Sequence, residues 1–349
     1  MLPNGRRIGA HLPLGSGMVK AADRAAVIGA SAIQVFSDNP TAWRRRPSLP
    51  EELAAFRARL DEHGIAPIAI HAPYLVNLAG PEPAFHEQSV AVLANELRVA
   101  AAYGAAFVNV HIGSHRGEGV AYGVERLVDG IARVFDRLGD PGDVTLVLEN
   151  SSGGGFGLGV TVEELARIEA ALHASRVPSD RVGWCLDTAH LWGAGYAIDR
   201  PEAVDEVLGA FDTEIGLDRL RMVHLNDSRS ELGSRSDRHE HVGAGRIGAA
   251  GLARMLEHPG LEHVAYYLET PGMEEGYDAI NLHRAKALVT GEPLAELPPG
   301  AFNLPPRKRR SAPPDPEGDD PAAIAAAKAA RPRRAPKPTP PPRRDRPPA

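Results

Sequence analysis

His71, His111, Glu149, Asp187, His190, His224, Asp237, His239 and Glu269 stand in chain order at or just after the ends of successive short apolar runs. Imidazole nitrogen and carboxylate oxygen are the ligands of divalent zinc, which takes about four of them per ion. Nine such donors, with water filling open positions, suit two or three ions, and a site of that size points to a multinuclear hydrolytic centre. Two local spacings add geometry. If the chain is extended from Asp237 to His239, both side chains project to one side. A helix-like turn beginning at Asp187 brings His190, three residues on, to the same pocket. A lone histidine is most often a hydrogen-bonded core or surface residue, but nine candidates at matching positions are not explained that way. His11, at the end of the first apolar run, is a candidate for orienting a ligand from behind.

The elements that must position these donors are legible as alternating short apolar runs and longer amphipathic stretches. Eight runs read as strands, at 6–11, 32–36, 67–72, 107–113, 145–150, 182–188, 220–227 and 264–270. Helical patterns lie between them at 50–64, 85–103, 121–138, 161–173, 200–213 and 276–289. In the first of these, Leu53, Phe56 and Leu60 recur at helical spacing, Pro50 sits at the start and Gly64 ends the run. Eight strand–helix units favour a closed (β/α)8 TIM barrel over an open doubly wound sheet, which would more often carry a Gly-rich dinucleotide turn after its first strand. In such a barrel the active site lies at the C-terminal ends of the strands. The nine donors occupy those ends or the loops that follow them, with Asp237 and His239 in the loop after the seventh strand.

The 349 residues are 43% hydrophobic, ample for a core, and no apolar run approaches the roughly 18 residues of a membrane span. The start of the chain carries no secretory pattern, and Cys185, the only cysteine, excludes an internal disulfide and reads as a buried small residue in a reducing compartment. A cytoplasmic location with no membrane association is expected. From about residue 305 the composition turns to Pro, Ala and Arg, too poor in large apolar residues for a core, so residues 1–304 are expected to form the barrel domain and 305–349 a disordered basic tail. That tail holds 12 Lys and Arg against 5 Asp and Glu, which leaves 27 and 40 for residues 1–304. The overall charge of −6 therefore combines a body of −13 with a tail of +7, and a basic tail of this kind can hold polyanions by counterion release.

Several strings resemble the endonuclease IV family of metal-dependent apurinic/apyrimidinic endonucleases (deoxyribonuclease IV): HAPYLVNLA at 71–79, VLEN at 147–150, LDTAHLWGAGY at 186–196, HLNDS at 224–228 and SRSDRHEHVGAGRIG at 234–248. The resemblance spans about residues 6–290 and excludes the tail. It implies three zinc ions, with His71 and His111 on one, Asp187, His224 and Glu269 on a second, Glu149 bridging those two, and His190, Asp237 and His239 on the third. The same donor types also accept manganese. The activity implied is hydrolysis of the phosphodiester 5′ to an abasic site in duplex DNA, leaving a 3′-hydroxyl and a 5′-deoxyribose phosphate. Glu149 would be the catalytic bridge, and a metal-bridging hydroxide the nucleophile. Removal of blocking groups from damaged 3′ ends is implied as well, and a monomer is expected.

For DNA contact the resemblance points to Asn39, Trp43, Tyr74 and Arg238. The loop at 37–47 is where the family inserts residues into the gap left by the missing base. Its tip here is Pro40, Thr41 and Ala42, shorter than Arg or Gln, so either Trp43 and the Arg44–Arg46 run compensate or insertion is weaker. Gly-rich 151–159 lacks a nucleotide-loop pattern and reads as a rim that lets a DNA backbone approach. Ala189 stands where relatives commonly carry Cys and, as a non-ligand, is expected to matter little. The rival enzyme is a metal-dependent sugar isomerase or epimerase on the same barrel, which has no need of a third site of His190, Asp237 and His239. A DNA-binding module without catalysis is disfavoured by the complete donor set.

Overall fold

The computed structural model describes residues 1–139 and 142–303. The expected tail at 305–349 lies outside the described residues. Eight parallel strands close into a barrel: β1 (Arg7–His11), β2 (Ala32–Val35), β3 (Ile68–His71), β4 (Phe107–His111), β5 (Thr145–Glu149), β6 (Val182–Asp187), β7 (Leu220–His224) and β10 (Ala265–Leu268), the last pairing back onto β1. A two-stranded antiparallel ladder, β8 (Asp227–Ser228) with β9 (His239–Glu240), interrupts the series after β7. The helices are α1 (Met18–Val27), α2 (Leu53–Glu62), α3 (Pro83–Tyr103), α4 (Val120–Leu138), α5 (Val162–His173), α6 (Thr188–Ala194), α7 (Pro201–Glu214), α8 (Gly248–Glu257) and α9 (Asp278–Thr290). No helix among the described residues is long and apolar enough to cross a membrane.

Strand alternation divides the apolar residues into two sets. Ile8, Ile33, Ile70, Val108, Leu148, Trp184, Val223 and Leu268 belong to the large cluster that includes the helices. Their neighbours in sequence, Ala32, Ala69, Val147, Cys185, Met222, Ala265 and Tyr267, form a separate small cluster that plugs the lumen. Cys185 is fully buried there, and burial pushes its thiol up to about 12, so it is an inert packing residue as its isolation in the sequence suggests. Two residues further along each strand, the next inward position is polar in every case: His11, Gln34, His71, His111, Glu149, Asp187, His224 and Glu269. Period-two alternation in eight strands thus sets a polar crown on an apolar plug.

Helix ends follow local chemistry. Pro83 occupies the first turn of α3 and Gly104 closes it with a left-handed φ of 67°. Thr161 caps α5 by accepting from Glu164 N at 3.3 Å, while Glu164 reaches back to Gly159 and Val160 N–H, both at 3.0 Å. The patterned helices agree with expectation to within three residues at each end.

The main departure is after β7. The run at 220–227 predicts one strand to its end, but β7 stops at His224, and Asp227 and Ser228 pair instead with Glu240 and His239. The cause is the Asp227 carboxylate, which accepts from Ser228 N at 2.8 Å, Gly245 N at 2.9 Å, Ile247 N at 2.9 Å and Gly248 N at 3.2 Å. It gathers the turn before α8 and holds that helix's unpaired N–H groups. A Cβ at Gly245 would run into the Asp227 carboxylate and the Ser228 carbonyl, which explains the glycine of the GAG string. Helices α1 and α8 carry no sequence expectation, whereas α6 is the helix-like turn expected to begin at Asp187. Helix α6 has only seven residues and is started by Asp187, whose Oδ1 accepts from His190 N at 2.9 Å.

Candidate metal centre

Glu149, at the end of β5, is buried at the centre of the crown. Its Oε2 lies 3.7 Å from His71 Nε2 and 3.4 Å from His111 Nε2. Its other oxygen, Oε1, lies 3.3 Å from His224 Nδ1 and 3.3 Å from His190 Nδ1. The two oxygens of one carboxylate therefore face two groups of imidazoles. The strand register sets this up, since Glu149 pairs with His111 and Asp187 with His224 across adjacent strands. Around Glu149 the donors fall into three overlapping sets whose ligand atoms lie within 4.8 Å of one another: His71, His111 and Glu149; Glu149, Asp187 and His224; Asp187, His190 and His239. Glu269 joins the second set, with Oε2 3.6 Å from His224 Nδ1. Asp237 joins the third, with Oδ1 2.9 Å from His239 Nε2 and Oδ2 3.3 Å from His190 Nε2. Asp187, assigned from the resemblance to the second set alone, also reaches the third, its Oδ2 3.9 Å from His224 Nδ1 and 3.6 Å from His239 Nε2.

The imidazoles are oriented from behind. His71 Nδ1 donates to the Ala72 carbonyl at 2.7 Å, His190 Nδ1 to Asn150 O at 2.9 Å and His239 Nδ1 to Glu269 O at 2.9 Å. His224 Nε2 faces Gln34 Oε1 at 3.0 Å. A carbonyl oxygen only accepts, so the proton of each neutral ring sits on that side and the lone pair points into the crown. Carboxylates are held in the same way: Asn109 Nδ2 donates to Glu149 Oε2 at 2.6 Å, Asn226 Nδ2 to Asp187 Oδ2 at 2.7 Å and Gln34 Nε2 to Glu269 Oε1 at 2.6 Å. His11, with Nδ1 3.4 Å from Glu269 Oε1 and 3.0 Å from Gln34 Nε2, occupies the supporting position expected of it.

Glu149 Oε1, His224 Nδ1 and His239 Nε2 are buried without a hydrogen-bond partner among the described residues, the first two 3.3 Å apart and the third in the Asp187, His190 and His239 set. Buried polar atoms of this kind are ordinarily satisfied, so the donor set fits divalent cations. Electrostatics agree. Burial, only partly offset by Glu269, takes His71 down to about 4, leaving it neutral. Burial also opposes charge on His239, yet Asp187 and Asp237 outweigh it and raise that ring to about 9. His190 is held well above its ordinary value against burial by Asp187 and Asp237. Burial works against Glu149 and Asp237 as anions, but His224 and His111 pull the first, and His190 and His239 the second, well below the carboxylate range. Asp187 and Asp237 thus draw positive charge onto the His190 and His239 side of the crown, while His71 on the other side stays neutral.

Beside the crown opens a cleft of about 350 Å³ whose lining includes Tyr74, Asn77, His111, Arg116, Arg235 and Asp237. Tyr74 is exposed at its rim, 5.6 Å from the His71 ring and 6.2 Å from the His111 ring. Arg238 is exposed beside the third donor set. Asn39 is engaged within its own loop, its Oδ1 accepting from Thr41 N and Oγ1, and Trp43 stacks on Phe85 of α3 with centroids 6.2 Å apart. Gln34, Asn109, Asn150 and Asn226 were not singled out by sequence reasoning; a lone polar residue in the apolar run AIQVF is the one local signal that marks Gln34. Arg116 and Arg235 were also missed. Both have left-handed backbone, φ 54° in each case, and so does Phe156, φ 62°, in the Gly-rich rim between them. That rim is tied to its neighbours by His115 N to Phe156 O at 3.2 Å and Ser114 Oγ to Gly155 O at 2.5 Å, so it is a built wall rather than a loose flap.

Residues 22–289 match the family model described as xylose isomerase-like TIM barrel. A relative described as probable endonuclease 4, from Methanoculleus marisnigri, is 41% identical over 282 residues, covering 81% of this chain and 98% of its own length. The crystal structure of endonuclease IV from Thermus thermophilus superposes with a TM-score of 0.71 at 39% identity, over 82% of this chain and 99% of the other. A D-tagatose 3-epimerase-like protein reaches a TM-score of 0.59 at 17% identity over 82% and 98% of the two chains, a likeness of fold alone. With a closed barrel, its donor crown and relatives of this similarity over nearly their whole length, the chain belongs to the endonuclease IV family of xylose isomerase-like TIM barrels.

Proposed function

We propose that this protein is a metal-dependent DNA repair endonuclease that hydrolyses the phosphodiester 5′ to an abasic site in duplex DNA, leaving a 3′-hydroxyl and a 5′-deoxyribose phosphate. The observation that carries the reading is the set of three overlapping donor groups joined through Glu149 and Asp187. Zinc bound by them would supply Lewis acidity toward phosphate oxygens and lower the pKa of water to about 7. His71 and His111 would hold one ion, His224 and Glu269 a second, and His190, Asp237 and His239 a third, with Glu149 shared between the first two and Asp187 between the last two. Manganese fits the same oxygen and imidazole donors.

The chain's own groups would do the remaining work. Gln34, Asn109 and Asn226 fix the carboxylates, so little reorganisation is left for the reaction itself. Tyr74 would lie against the sugar–phosphate at the mouth, and Arg238, Arg116 and Arg235 would neutralise flanking phosphates. A cleft open on one side would also admit a blocked 3′ end, the basis for a second, end-cleaning activity. All donors come from one chain, so a monomer would suffice. A sugar isomerase on this barrel accounts for one or two ions and leaves His190, Asp237 and His239 without a task.

The test is incubation of the purified protein with duplex DNA carrying one abasic site, with and without a chelator, alongside metal analysis. Incision 5′ to the site that the chelator abolishes, and at least about two zinc per chain, is expected. Intact DNA with stoichiometric metal would favour the sugar enzyme.

A further inference from the structure

The loop between β2 and α2 leaves the barrel beside the crown. At its root the Phe36 ring packs 5.4 Å from His71 and 5.3 Å from Tyr74. Its tip carries only the short Thr41 and Ala42 side chains, so any recognition by this loop depends on where its backbone lies. That backbone is held from inside. Arg45 turns back under the loop, its guanidinium donating to Asn39 O at 2.8 Å and to Ala42 O, the carbonyls flanking the tip. The same guanidinium meets Glu96 Oε1 of α3 at 3.4 Å, with side chains 9% and 1% exposed. Glu96 also accepts from Ser37 Oγ, and Tyr103, further along α3, donates to Ser37 O at 3.2 Å. Arg46 is occupied by Asp38, 3.5 Å away. Of the arginine run, Arg44 alone is exposed with no ion pair among the described residues.

A buried ion pair is a weak source of stability, because desolvation offsets most of its attraction, and its best attested use is to fix one arrangement among several. From this geometry we infer that Arg45 and Glu96 are positioning residues for damage recognition: the pair fixes where the 39–42 backbone lies relative to the loop root beside His71 and Tyr74, and the loop selects abasic DNA by its shape rather than by an inserted side chain. Neither residue touches the metal donors or lines the cleft. The inference rests on the endonuclease reading.

The test uses full-length, zinc-loaded protein and the variants Arg45→Lys, Arg45→Ala and Glu96→Gln. Steady-state incision of an abasic duplex is measured together with binding to abasic and undamaged duplexes, metal content, melting temperature and acrylamide quenching of Trp43, the other tryptophans, Trp184 and Trp192, being buried. Expected is a rise of about tenfold in KM with kcat within about twofold, a matching loss of preference for abasic over undamaged DNA, easier quenching and unchanged zinc. Arg45→Lys keeps the charge but not the two-carbonyl fork, so it should lose preference while melting like the parent. Preference retained in all variants, whatever their melting temperature, would overturn the inference. So would equal weakening on both duplexes, the mark of a plain phosphate contact. If the parent protein itself leaves abasic DNA intact, the nuclease reading fails instead, and quenching of Trp43 still reports whether the pair holds the loop.

Discussion

Glu149 presents separate oxygens to His71 and His111 on one side and to His224 and His190 on the other, so one charge faces both groups of imidazoles. Glu149→Gln keeps the shape and is expected to lower incision by at least about a thousandfold while the melting temperature stays close to the parent's; near-parental turnover would remove Glu149 from the reaction. Metal and protons compete for the same rings. His239 is carried to about 9 by Asp187 and Asp237 against burial, and His190 is raised as well. A pKa above the ordinary 6.5 means that the charged ring stabilises the metal-free fold below that pH and that this contribution is lost as pH rises toward 9. Chelator-stripped protein should therefore lose melting temperature between pH 6.5 and 9 while loaded protein does not. Zinc uptake at neutral pH should release protons, seen in titration calorimetry as heats that follow the ionisation enthalpy of the buffer. The nine candidate donors that the fold brings together were legible because ionisable side chains at or after the ends of apolar runs need a reason to be there. Gln34 and Asn109 were less so, since an uncharged amide inside a strand differs little from a residue on a solvated face until barrel closure shows which face is inside.

At the scale of elements, the strands and long helices followed from alternation, helical period and caps, whereas the β8–β9 ladder did not. Two-residue strands have no period to read, and their placement depends on the Asp227 carboxylate gathering four backbone N–H groups from 228 to 248. The consequence reaches the candidate site, because β9 begins with His239 and its partner strand follows His224 by three residues. Asp227→Ala leaves those N–H groups unpaired in a buried turn and is expected to cost about 3 kcal/mol in denaturant unfolding, with zinc content falling first at the third donor set. A variant that unfolds like the parent and keeps all of its zinc would show that the ladder does not depend on this clamp. The loop after β2 is the converse case. Its three arginines read as a basic surface run, yet two of them are committed to Glu96 and Asp38.

The whole molecule is acidic where it is folded and basic where its composition excludes a core: residues 1–304 carry −13 and 305–349 carry +7. An acidic body repels DNA at a distance, so a chain ended at residue 304 should bind abasic and undamaged duplexes more weakly, with a shallower dependence on salt, while single-turnover incision at saturating protein is unchanged. An unaltered salt slope would mean that the tail takes no part in DNA binding. The barrel's closing seam has a different consequence. Gln34 on β2 bonds to Glu269 beyond β10 and faces His224 on β7, so the second strand and the last one are stitched together by the same amide that steadies the donors. The crown is drawn from all eight strands and cannot be assembled from any contiguous part of them. A chain still on the ribosome, or one cut short before residue 269, has no crown. For the proposed incision of DNA, this ties competence to the finished, closed barrel, because the last candidate donor arrives only with the strand that closes it.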